Sequence, residues 1–165
     1  MRLPAALLVG IIPLSVSAQH SVTEYSSAQR AAMQSVMDKD SSLAFIPETW
    51  FNANSLRYAR TDPEMAFGKA FKPYYQVGDF NHDGRKDFAV LLLRGNAPDL
   101  GMTALVFNGT KNGGFRLAHR EDEPFSELRF LKVTEGKLWI GVMESDEAGC
   151  FVPAGTGYIV EPCNS

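Results

Sequence analysis

The chain has 165 residues, with 16 basic and 19 acidic side chains, a formal charge of −3, and 45% apolar residues. That is ample material for one ordinary core and too little chain for several domains. The charge balance leaves no footprint for nucleic acid or an anionic lipid surface, and no basic run is longer than Arg85-Lys86.

The first segment is Met1-Arg2-Leu3-Pro4-Ala5-Ala6-Leu7-Leu8-Val9-Gly10-Ile11-Ile12, one basic residue followed by an apolar run that fades near Leu14. Small or permissive side chains follow, in Ser15-Val16-Ser17-Ala18-Gln19. This is the layout of a secretory signal peptide. The run is also shorter than the roughly 20 residues a membrane-spanning helix needs. The expectation is a removable signal over residues 1–18 and a single globular domain over 19–165, delivered to the periplasm or secreted. Without Arg2 the domain carries 15 basic and 19 acidic residues, a charge of −4. It holds no second apolar stretch of membrane-spanning length, and no lipobox cysteine follows the signal.

Residues 21–40 predict a helix. Ser21 and Glu24 have capping-box spacing. Tyr25, Ala28, Ala32, Met33, Val36 and Met37 then form one apolar stripe, and Asp38-Lys39-Asp40 ends it. The stripe suits packing on a sheet. Residues 43–73 are irregular, punctuated by Pro47, Pro63 and Gly68. Their aromatics, including Trp50 and Phe51, are read as core by default. Asp62-Pro63-Glu64 marks the start of a possible short helix over 62–68, with proline at a first helical position.

From residue 74 the pattern turns to strands: 74–79, 88–94, 102–107, 115–119, 128–133, 138–143 and 157–160. Residues 88–93 are apolar on both alternating faces, as in a central strand covered on both sides. Turn-rich residues 108–114 and Thr134-Glu135-Gly136-Lys137 give hairpin signals. His119-Arg120-Glu121-Asp122-Glu123 reads as a solvated charged turn before Pro124, and Glu144-Ser145-Asp146-Glu147 as a solvated loop. The fold expected is α+β, an N-terminal helix packed on a mainly antiparallel sheet of six to seven strands. Cys150 and Cys163, the only cysteines, predict one disulfide in an exported chain.

Chemistry concentrates in Asp79-Phe80-Asn81-His82-Asp83-Gly84-Arg85-Lys86-Asp87, with the pattern D-x-N-x-D-G-x-x-D. Calcium is a hard cation that takes six to eight oxygens. Alternation brings the oxygens of Asp79, Asn81 and Asp83 toward one centre as the chain curls. Gly84 permits the bend, the backbone carbonyl of Arg85 supplies a further oxygen, and Asp87 closes the shell with both carboxylate oxygens. Magnesium suits the loop less well, since it prefers a smaller octahedral shell that keeps several waters. An EF-hand is excluded, because its twelfth position must be acidic and here is Val90, and because both flanks are strand-like.

The stretch from Val77 to Val90 resembles the calcium loop of FG-GAP/VCBS-type repeats, which build β-propellers. The resemblance covers about 14 residues in a single copy, too little for a propeller. It is closer to small exported bacterial proteins with one such loop. It implies calcium bound by Asp79, Asn81, Asp83, Arg85 and Asp87 in a β-loop-β site, and implies no adhesion. Serine-nucleophile, phosphate-loop and H-E-x-x-H signatures are missing from the sequence. The functional expectation is an exported, calcium-binding, non-catalytic module that binds or inhibits a protein partner. Its rivals are a small calcium-dependent hydrolase using His119, Glu144 or Asp146, and a structural component of an envelope assembly.

Overall fold

The computed structural model describes residues 25–47, 50–51, 53–62, 67–95, 100–126, 128–143 and 145–163. The expected signal, the Ser21–Glu24 capping pair and residues 63–66 of the possible short helix lie outside them.

The first helix, α1, spans Ser27–Met37 and starts at Ser26. The Ser26 hydroxyl accepts the Gln29 N–H, while the Gln29 side chain accepts the Ser26 N–H. The capping box of this helix is therefore Ser26/Gln29. Its predicted stripe faces inward, with Met33 fully buried and Ala32, Val36 and Met37 packed beside it. After β1 (Leu43–Phe45), a second helix, α2, occupies Ala53–Thr61, just ahead of the position expected for one. Leu56 and Ala59 turn it onto the core.

The strands that follow are β2 (Tyr75–Gly78), β3 (Asp87–Arg94), β4 (Gly101–Gly109), β5 (Phe115–Pro124), β6 (Arg129–Thr134), β7 (Lys137–Val142), β8 (Ala148–Ala154) and β9 (Gly157–Pro162). All pair antiparallel, but not in one sheet. The first sheet runs β1-β3-β4-β5, with β2 sharing β3 alongside β1, and the second runs β6-β7-β8-β9. The expected architecture of one helix on one sheet of six to seven strands is thus corrected. Nine strands in two sheets, with two short helices, are found among the described residues.

The physical reason lies in β3 and β4. Nearly every residue of both is buried, so both faces of the first sheet need apolar cover. Helix α1 covers one face, over Phe88, Val90, Leu92, Leu105 and Phe107. The other face, bearing Ala89, Leu91, Met102, Ala104 and Val106, meets Leu131, Leu138, Ile140 and Phe151 of the second sheet. Leu131, Leu138, Ile140 and Phe151 give the second sheet one apolar face, which suits an outer layer.

Two further expectations change. The charged stretch 119–123 is not a turn but part of β5, paired with β4 from Met102 to Val106. Its side chains are satisfied locally: Arg120 bonds Asp40 and Asp122, and Glu123 bonds the buried Arg129 at 2.8 Å. Asn108 and Gly109 likewise extend β4, and the turn runs from Thr110 to Gly114. Cys150 and Cys163 form the predicted disulfide, with Cα atoms 5.1 Å apart. No helix among the described residues is long and apolar enough to cross a membrane.

Candidate metal loop

Residues 79–86 connect β2 to β3, so the flanks of the loop are adjacent antiparallel strands, with Gly78 opposite Asp87. Between them the chain curls around its own side chains. Asp79 Oδ1 accepts the Asp83 N–H at 3.0 Å, and its Oδ2 accepts the Gly84 N–H at 2.9 Å. Asn81 Oδ1 also accepts the Asp83 N–H, at 3.0 Å, and Asp83 Oδ1 accepts the Arg85 N–H at 2.9 Å. The Asn81 and Asp83 bonds are successive Asx turns, in which a short polar side chain replaces a backbone acceptor, and Asp79 spans both from outside. Two residues hold left-handed backbone, Gly84 at φ 82° and His82 at φ 58°. For a residue with a Cβ that conformation costs about 1–2 kcal/mol, so His82 is held there by the loop around it.

Asp79 and Asn81 thereby share the Asp83 amide, the Asp83 carboxylate turns to the Arg85 amide, and Asp87 is placed differently. Asp87 is the first residue of β3 and is fully buried. Its Oδ2 accepts the Phe80 N–H at 2.9 Å and the Asn81 N–H at 3.4 Å, and its Oδ1 accepts the Gly109 N–H at 2.9 Å. Gly109 must be glycine for this approach, because a Cβ there would lie 2.4 Å from the Lys86 carbonyl oxygen. Burial pushes the Asp87 carboxyl above its ordinary value, against the amides of Gly109, Phe80 and Asn81, which pull it down.

Tyr158, from β9 of the second sheet, reaches the same place. Its hydroxyl donates to Asn108 Oδ1 at 2.8 Å and lies 3.5 Å from Asp87 Oδ2. Burial, and then the Asp87 charge, pushes its phenol up and keeps it protonated. Neither Asn108 nor Tyr158 was signalled by the sequence: the loop pattern covers nine consecutive residues, and these partners arrive from distant strands. The one local trace was Gly109, a glycine that proves to close strand β4 where another backbone comes near.

A calcium ion can be tested against this donor set. Among the described residues, no group of three or more His, Cys, Asp or Glu side chains is drawn together as a ready-made cage. The loop's candidate donors extend beyond those residue types, to the Asn81 amide oxygen and the Arg85 carbonyl. Each carboxylate oxygen has two lone pairs, and one amide contact leaves the other available. Asp79 keeps such capacity on both oxygens and Asp83 on Oδ1 alone, because Asp83 Oδ2 already meets the Arg85 guanidinium at 3.0 Å and the Asn81 side-chain amide at 3.2 Å. Asp87 Oδ2 is already taken, so Asp87 suits contact through Oδ1 better than the two-oxygen closure expected from the sequence. The residues fit a hard cation in chemistry and curvature.

Other predicted groups fall elsewhere. His119 bonds Glu121 at 3.1 Å and stacks edge-on against Phe151, while Asp146 is exposed beyond β7 and Glu144 lies outside the described residues. Phe51 is buried in the core, and Trp50 packs against Phe125. No protein-family model, curated protein or solved structure matches the chain.

Proposed function

We propose that this chain is an exported, non-catalytic module that binds one calcium ion through residues 79–87, and that it serves by engaging a protein partner. The observation that carries the metal reading is the curled loop: Asp79 and Asn81 both accept the Asp83 N–H, Asp83 accepts the Arg85 N–H, and His82 and Gly84 hold left-handed backbone. Asp79, Asp83 and Asp87 fall within nine residues of sequence, and a calcium ion would add positive charge to the one guanidinium, that of Arg85, that meets Asp83. The likeness to FG-GAP/VCBS-type loops supports the same ligands, with Arg85 acting through its carbonyl. Export is supported by the Cys150–Cys163 disulfide, a bond that persists in oxidising compartments. The ion fastens a β-loop-β junction, with every donor drawn from the loop itself.

Calorimetric titration of the full chain with calcium is the test. One site is expected, with a dissociation constant on the order of 10⁻⁴–10⁻³ M as in extracellular modules. Asp79→Ala is expected to abolish the heat. A wild-type chain giving no heat would end the metal reading. Affinity capture from periplasmic or extracellular protein, with calcium or with chelator, tests the partner half, which fails if nothing specific is retained in either condition.

A further inference from the structure

The loop is not self-contained. Asp87 joins it to the end of β4 through the Gly109 N–H, and Tyr158 and Asn108 form a buried polar bridge between the second sheet and that same end. Tyr158 has one phenolic proton, and the 2.8 Å contact assigns it to Asn108 Oδ1 rather than to Asp87 at 3.5 Å. Asn108 thus orients the phenol and β9 presses its oxygen against the loop's closing carboxylate. Asn108, Tyr158 and Asp87 are all buried, so water does not loosen the arrangement.

We propose that Tyr158 and Asn108 are positioning residues for the calcium loop, coupling its occupancy to the order of β9 in the second sheet. This rests on the calcium reading above and adds a path to it: an ion that fixes the loop fixes Asp87, and Asp87 limits where Tyr158 can sit. Coupling of this kind is reciprocal, so whatever loosens Tyr158 must also weaken the ion.

Hydrogen–deuterium exchange on the full chain, with calcium or with chelator, reads both ends. In the wild type, calcium is expected to slow exchange over residues 79–87 and over β9, Gly157–Pro162. Tyr158→Phe removes one hydroxyl and keeps the ring in the core. In that variant protection is expected to persist in the loop and to disappear from β9, with calcium affinity reduced about fivefold, or ~1 kcal/mol. Asn108→Ala is expected to act in the same direction and serves as the second variant should the first lose its fold. Calcium that protects the loop but never β9, or protection of β9 that survives both substitutions, overturns the coupling alone. Calcium that protects neither overturns the metal reading and the coupling with it.

Discussion

The two ends of the loop differ in almost every physical respect. The first half, Asp79 to Gly84, is exposed at His82, Asp83 and Gly84 and buried at Phe80 alone, held by short-range bonds within five residues, and strained at His82. The far end, Asp87, is fully buried and held by the amides of Phe80 and Asn81 in the loop and of Gly109 in β4. An exposed carboxylate can exchange water for an ion at little cost, whereas a buried one exists to satisfy donors that would otherwise be orphaned. On the proposed calcium reading, contact with the ion falls mainly to the first half, and attachment to the fold belongs to Asp87.

Substitutions separate these roles. Asp87→Ala strips the acceptor from the Phe80 and Gly109 amides, and is expected to lower stability by roughly 3 kcal/mol even in chelator, measured by denaturant unfolding. Gly109→Ala drives a Cβ into the Lys86 carbonyl and is expected to cost about 2 kcal/mol by the same assay. Asp87→Asn addresses the charge. Because burial raises the Asp87 pKa above 3.8, the folded chain holds that proton more tightly than the unfolded chain. The stability this contributes is present below pH 3.8 and is lost as pH rises through the shifted value. In chelator, a wild-type chain should show this loss and Asp87→Asn should not; identical pH profiles would remove the buried-carboxylate argument. The smallest effect is expected at Arg85, whose pair with Asp83 is about a third exposed. Arg85→Ala should change stability by less than about 0.5 kcal/mol and leave calcium affinity equal or slightly higher, since the guanidinium competes for Asp83 Oδ2.

Much of this molecule was legible where the determining forces are local. The α1 stripe, the doubly apolar β3, the disulfide and the curled loop all follow from spacing within a dozen residues or so. What escaped was decided by partners far away in the chain. The split into two sheets depends on which strand pairs with which, although the two-faced burial of residues 88–93 already required more cover than one helix provides. Strand β8 carries Gly149 and Pro153 and lacks clean alternation, and β1 is three residues long, so neither announces itself. The charges of residues 119–123 suggested solvent, yet on an edge strand the backbone still pairs while the side chains find their own partners. Asn108 and Tyr158 lay furthest from view, since 50 residues separate them.

The most direct measurement is the thermal midpoint of the wild-type chain in millimolar calcium against chelator, with Asp79→Ala beside it. A ligand that binds only the folded state must raise the midpoint, by an amount that grows with the logarithm of one plus the ratio of free ligand to Kd. A rise in the wild type that vanishes in Asp79→Ala is the predicted result. Equal wild-type midpoints in calcium and chelator would contradict the account.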